Sequence, residues 1–243
     1  MYHGRVAPSH TSPYIEIGPV WACPIAGPYQ WRQIPMEITA GTDPFALFQN
    51  WFDEAVKTEI NDPDAIALAS VDAGGMPSVR MVLLRRWSPD GFLFFTNYES
   101  DKGKNLAQNP HAALVFFWKE LERQIRIEGT VEKVSAEESD RYFNSRPASS
   151  RIGAWASPQS AVIENRMVIE QNVERYSSIF ANDSIERPDH WGGYIVKPTS
   201  IEFWQGRSSR LHDRIKYTLE NSAYNAATDT RTDLNWKIER LAP

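Results

Sequence analysis

The chain has 243 residues, 42% hydrophobic and 23% charged, enough for one globular domain with a sizeable core. Its net charge of −5 gives no general attraction to nucleic acid or to an anionic membrane, so any anion site must be built locally from a few placed cations. A lone cysteine, Cys23, excludes an intrachain disulfide, and the chain lacks both a run of about eighteen apolar residues and a signal-peptide pattern, which together predict a cytoplasmic location.

Six of the sixteen prolines fall before Met36, in a stretch with no helical or alternating period. Residues 1–42 therefore read as an irregular extension, with Met36 as an alternative start, and residues 43–243 as the folded domain. A chain beginning at Met36 is expected to keep its fold. Asp43-Pro44 has an N-cap followed by a proline at the first helical position, and Phe48, Trp51, Phe52, Ala55 and Val56 continue at helical spacing. Strands are predicted over 65–72, 79–86 and 92–96, separated by Gly74-Gly75 and by Ser88-Pro89-Asp90-Gly91. A short helix over 102–108 precedes strands over 111–118 and 124–134. Ser135 with Glu138 forms a capping-box pattern that opens a helix to about Asn144. A longer helix is predicted over 163–180, then strands over 191–197, 200–204, 215–220 and 236–240, with a polar hairpin tip over 221–233. Short strands, tight turns and inserted helices predict a mainly β fold with helices, a β-barrel.

Three polar constellations stand out. Arg80 and Arg85 share a strand that is followed by Ser100-Asp101-Lys102-Gly103-Lys104 at a helix start, where cations and backbone N–H groups suit a phosphate. Ser145-Arg146-Pro147 and Ser149-Ser150-Arg151 mix hydroxyls with guanidinium groups. Arg210, His212 and Arg214 alternate, so an extended backbone would put all three on one face. Solvated surface charge, a polar loop and a surface strand are the respective plain alternatives. With five scattered histidines and one cysteine, no metal-ligand spacing is present. Basic-aromatic mixing is too sparse for nucleic-acid binding.

The chain resembles the pyridoxine/pyridoxamine 5'-phosphate oxidase family in a series of segments that follow one another in register. They are Arg80-Met81-Val82-Leu83-Leu84, Phe94-Phe95-Thr96-Asn97, Leu121-Glu122-Arg123-Gln124, Ser145-Arg146-Pro147, Ile152-Gly153-Ala154-Trp155, Gln159-Ser160, Ile201 to Gly206, Arg210 to Arg214 and the terminal Arg240-Leu241-Ala242-Pro243. The resemblance implies a Greek-key FMN-binding split barrel and a homodimer with FMN at the subunit interface. It implies FMN contacts at Arg80, Met81, Val82, Leu83, Leu84, Arg85, Phe95, Thr96, Lys102, Gln124, Gln159, Ser160, Trp204 and Arg214. Substrate contacts are implied at Arg85, Tyr142, Arg146 and Ser150 for the phosphate. Arg210 and His212 carry the catalytic assignment at the pyridine ring and the reacting C4' substituent. The implied reaction oxidises a phosphorylated B6 vitamer with O2, giving pyridoxal 5'-phosphate and hydrogen peroxide.

Four positions depart from the family pattern. Arg85 stands where Lys is usual, Phe95 where Tyr is common, Asp101 where many members carry a cation, and the substrate-covering Arg and Tyr of the N-terminal arm are not found. Two alternatives remain beside the oxidase: a related FMN oxidase acting on another ring substrate, and a non-catalytic FMN- or pyridoxal-phosphate-binding protein.

Overall fold

The computed structural model describes residues 37–58, 61–181, 184–225 and 230–243, with side chains left aside over 222–233. Helix α1 (Pro44–Thr58) opens where Asp43 accepts from Phe45 N through its carboxylate at 2.8 Å, and it buries Phe45, Phe48, Trp51 and Ala55 along one face. Strands β1 (Ala65–Val71), β2 (Pro77–Leu83), β3 (Arg86–Ser88) and β4 (Gly91–Asn97) follow, then α2 (Asp101–Gln108) and strands β5 (His111–Trp118) and β6 (Arg123–Lys133). Three helices come next, α3 (Ala136–Ser145), α4 (Ala148–Ala156) and α5 (Met167–Ile179), before the long strands β7 (Trp191–Gln205), β8 (Asp213–Asn225) and β9 (Thr230–Leu241).

All nine strands join one antiparallel sheet, in the order β2-β1-β5-β6-β7-β4-β3, with β8 on β7 and β9 on β8. It curls into a split barrel around a main core, with a smaller cluster of Phe143, Ile185 and Trp191 beside it. Alternation along β1, β5 and β6 sends Ile66, Leu68, Leu114, Phe116, Ile125 and Ile127 inward, where α1 closes the core with Phe48 against Phe92 and Phe116. Gly129 is a position where only glycine fits, because a Cβ would sit 2.1 Å from Lys197 O.

The structure revises several sequence expectations. The packed unit begins at Glu37, not Asp43. Ile38 is buried, with its N–H on the Asp213 carboxylate, and Gly41 O accepts from the Tyr217 hydroxyl at 2.9 Å. The rest of the expected extension, residues 1–36, lies outside the described residues. The strand expected over 79–86 breaks at Leu84-Arg85, where the chain changes partners: Leu84 N donates to Asp64 O and Arg85 N to Leu93 O, both at 2.8 Å. Strands expected at 191–197 and 200–204 are one: Pro198 stays in register opposite Gly129, and a bulge beside it absorbs Thr199. Ser149–Arg151, read as loop, lies inside α4, and α5 starts at Met167 with its N–H on Asn165 Oδ1 at 2.9 Å. The expected hairpin tip over 221–233 is mostly strand, pairing out to Asn225 and Thr230; residues 226–229 lie outside the described residues.

Candidate functional site

One cleft of about 480 Å³ opens between the end of β2, β4, α2 and the α3–α4 corner. It is lined by the expected residues Met81, Val82, Leu83, Arg85, Phe95, Thr96, Lys102, Tyr142, Arg146, Ser150 and Gln159. Asn97, Gly153, Ala154, Ser157 and Trp191 complete the lining, and among the described residues no carboxylate does. The strand break at Leu84-Arg85 turns Leu84 into the core at 3% exposure and Arg85 toward the cleft, so these neighbours in sequence part company.

At one end, α3 and α4 present a cationic corner. Ser135 caps α3 by accepting from Glu138 N at 3.1 Å, which fixes the helix that carries Tyr142. Phe95 stacks on Tyr142 with centroids 4.0 Å apart and on Trp191 at 5.4 Å, and the Arg146 guanidinium lies 4.8 Å over the Trp191 ring. Phe95 takes part in this stack through its ring face, a contact that needs no hydroxyl. Arg146 Nη1 is buried with no hydrogen-bond partner. Burial lowers the pKa of Arg146, and the charge of Arg85 adds to that shift while Tyr142 opposes it. A buried, unpaired guanidinium N–H is costly unless a ligand supplies the acceptor.

At the other end, Ser100 caps α2 and Lys102 is 8% exposed. Lys102 Nζ donates to Ser100 Oγ at 3.1 Å and to Gln159 Oε1 at 2.9 Å, and Gln159 Oε1 also accepts from Thr96 Oγ1 at 3.4 Å. Burial lowers the Lys102 pKa, the Arg80 charge lowers it further, and Asp101 works in the opposite direction. Arg80 does not line the cleft; it donates to Ser70 Oγ at 2.7 Å and to Ser78 Oγ at 2.5 Å. Ser160 stands just outside in a left-handed turn, φ 71°. Tight packing holds α2 in place, because a Cβ on Gly103 would meet Tyr98 O at 2.1 Å. A buried ammonium with side-chain amide and hydroxyl partners at a helix start suits the phosphate end of FMN.

The remaining expected residues gather elsewhere. Gln124, Trp204 and Arg214 are direct cross-strand partners on β6, β7 and β8 and share the outer face, opposite buried Ile125, Phe203 and Ile215. Arg214 is held by Glu202 at 2.8 Å and by Ala242 O at 2.9 Å. The expected single face of Arg210, His212 and Arg214 does not form. Ser208–Arg210 is a helical turn with Ser209 and Arg210 at φ 56° and 61°, and the strand starts only at Asp213. His212 instead packs on Trp204, centroids 4.6 Å apart, and its Nδ1 accepts from Arg207 N at 3.1 Å. A neutral imidazole bonded in this way carries its proton on Nε2. None of these five residues lines the cleft of the same chain.

Sequence reasoning missed Trp191, read only as a strand start, and Asp64, whose carboxylate meets Arg85 at 2.8 Å. Neither belongs to a local motif; only the folded chain brings them to the site.

Two family models cover most of the chain: "Pyridoxamine 5'-phosphate oxidase" over residues 52–180 and "Pyridoxine 5'-phosphate oxidase C-terminal dimerisation region" over 191–243. The chain is 56% identical over 200 residues to the pyridoxine/pyridoxamine 5'-phosphate oxidase of Polynucleobacter asymbioticus, covering 82% of this chain and 89% of the relative. It is 52% identical over 207 residues to that of Trichormus variabilis, covering 85% and 92%. Among solved structures, PhzG from Burkholderia lata 383, in complex with tetrahydrophenazine-1-carboxylic acid, superposes with a TM-score of 0.76 at 25% identity, covering 86% of this chain and 97% of PhzG. A pyridoxamine 5'-phosphate oxidase-related, FMN-binding protein from Nostoc punctiforme has the same fold, with a TM-score of 0.63 at 17% identity over 84% of this chain and 100% of its own. With two family models matched and more than half of the aligned residues identical to curated relatives over most of its length, this chain belongs to the pyridoxine/pyridoxamine 5'-phosphate oxidase family.

Proposed function

We propose that this protein oxidises pyridoxamine 5'-phosphate or pyridoxine 5'-phosphate to pyridoxal 5'-phosphate, using FMN and O2 and releasing hydrogen peroxide, in vitamin B6 salvage. The observation that carries the reading is the buried, unpartnered Nη1 of Arg146 in a cleft with Tyr142, Ser150 and Arg85 and no carboxylate lining it among the described residues. Such a corner is built for a phosphate dianion.

In this reading Arg146, Tyr142, Ser150 and Arg85 bind the substrate phosphate, and Trp191 holds the Arg146 guanidinium flat. Lys102, Arg80, Thr96, Gln159 and Ser160, with the β2 residues Met81, Val82 and Leu83, hold FMN, while Leu84 backs them from the core. Bound there, FMN supplies the two-electron acceptor for the substrate's C4' carbon and passes the electrons to O2. Gln124, Trp204 and Arg214 contact FMN from a second subunit, which also brings Arg210 and His212 over the substrate ring. Support for the homodimer comes from the matched dimerisation region and from apolar Val79, Met81 and Phe117, each more than 60% exposed. Arg210 presses the pyridine ring into place. His212, whose Nδ1 is occupied by Arg207 N, turns Nε2 to the ring phenolate or to the C4' heteroatom, where it donates a hydrogen bond.

The test is incubation of FMN-loaded protein with pyridoxamine 5'-phosphate in air, following hydrogen peroxide and the aldehyde. Stoichiometric formation of both is expected, with unphosphorylated pyridoxamine a very poor substrate. Equal turnover of phosphorylated and free vitamers would favour a related oxidase on another ring substrate. Flavin binding without turnover would leave a binding protein.

A further inference from the structure

Arg85, Lys102 and Arg146 line the cleft, and their charges are handled differently. The Lys102 ammonium donates to two neutral oxygens, Ser100 Oγ and Gln159 Oε1. Arg146 has a buried Nη1 without a partner and leans on the Trp191 ring. Of these cations, Arg85 alone is in an ion pair among the described residues, its Nη1 standing 2.8 Å from Asp64 Oδ2. The pair is fixed by the backbone: Asp64 immediately precedes β1, its carbonyl accepts from Leu84 N, and Arg85 N is bonded to Leu93 O. Both side chains stay partly open to solvent, 32% for Arg85 and 25% for Asp64. A partly exposed ion pair is weak and exchangeable. Arg85 is also close enough to Arg146 for the two charges to oppose each other.

We propose that Asp64 is an internal counter-ion that competes with the ligand's phosphate for Arg85 and so sets how tightly the cleft holds phosphorylated ligands. The inference rests on the reading of this corner as the substrate phosphate site. In the empty cleft, Asp64 neutralises Arg85 and relieves its repulsion of Arg146. An arriving dianion takes over the Arg85 fork and leaves the carboxylate to water. A fixed negative charge beside the bound phosphate weakens that ligand and hastens its departure. Asp64 is thus a determinant of affinity that never touches the reacting carbon.

The test uses the FMN-loaded protein and measures dissociation constants for inorganic phosphate, pyridoxal 5'-phosphate and free pyridoxal by calorimetry. Asp64→Asn should tighten inorganic phosphate and pyridoxal 5'-phosphate three- to tenfold and leave free pyridoxal unchanged. Asp64→Ser should do the same, which guards against a peculiarity of the amide. In an Arg85→Ala background the Asp64→Asn change should have no effect on either phosphorylated ligand. Weaker or unchanged phosphate binding in both Asp64 variants would overturn the proposal, as would an equal gain when Arg85 is absent or no phosphate binding in any form. Should Asp64→Asn tighten inorganic phosphate through Arg85 while no form oxidises pyridoxamine 5'-phosphate, the counter-ion stands and the substrate assignment falls.

Discussion

The cleft beside β2 and the outer-face row on β6, β7 and β8 both carry arginines expected to meet a ligand, yet they treat them in opposite ways. In the cleft, half-buried Arg146 has a buried Nη1 left without a partner, and a lysine is buried among neutral partners. On the row, Arg214 is already gripped by buried Glu202 and by Ala242 O, and His212 is tied to Arg207 N and Trp204. An unsatisfied donor inside a cleft points to an anion that must enter. A satisfied donor on an outer face points to a surface kept in shape until another body docks against it. In the proposed function the two regions divide the labour, one binding charge and the other imposing geometry.

Breaking the geometric half should cost most. Arg210→Ala is expected to lower kcat by ten- to a thousandfold, roughly 1.4–4 kcal/mol of barrier, with flavin content unchanged; stopped-flow reduction of the bound flavin checks this. His212→Ala should be milder if the imidazole only orients, and should reshape the pH profile of kcat if it moves a proton. Breaking the charge-binding half acts on affinity instead. Arg146→Ala removes a charged hydrogen bond worth about 1.5–3 kcal/mol, so KM for pyridoxamine 5'-phosphate should rise roughly tenfold or more while the poor activity on free pyridoxamine stays as it was. A rise for both substrates would show that Arg146 holds up the fold and not the phosphate.

Smaller effects sharpen the contrast. Glu202→Gln loosens the grip on Arg214 and should weaken FMN binding a few-fold, read by flavin fluorescence, with no change in KM for substrate. Lys102 supplies a pH test. Only its protonated form attracts the FMN phosphate, and its pKa lies below the usual lysine value because of burial and Arg80. Flavin affinity should be full below that lowered pKa and fall as pH rises through it, earlier on the alkaline side than for an exposed lysine. Lys102→Arg should carry the binding to higher pH. A flavin dissociation constant that is flat across the alkaline range in both proteins would remove Lys102 from the site.

The parts of the molecule legible in the sequence were those written locally. Asp43-Pro44 and the Ser135–Glu138 capping pair opened helices where expected, and the strands expected over 65–72, 111–118 and 124–134 formed as β1, β5 and β6. What escaped was written at a distance or against local preference. Helix α4 hides behind a serine-rich stretch whose composition suits a turn. The turn at Ser208–Arg210 puts two non-glycine residues at positive φ, which no alternation pattern announces. Strand continuity past Pro198 depended on a bulge at Thr199, and the Asp64–Arg85 pair depended on strand register. Much of the cleft's lining was legible because its residues sit in short motifs; the aromatic stack under Arg146 was not, because Trp191 reaches it from the far half of the chain.

The unbroken run of β7 has a consequence for genetics. Trp191 lines the cleft at one end of this strand and Trp204 sits in the outer row near the other, a separation along the strand of roughly 40 Å. In the dimer proposed above, the row of one subunit meets the cleft of its partner, so each site borrows from both members of a symmetric pair. Two individually crippled proteins, one Arg146→Ala and the other Arg210→Ala, would then rescue each other on mixing and re-pairing. Every hybrid places both lesions in one site and leaves its second site wholly wild type, so random exchange should restore about a quarter of normal activity.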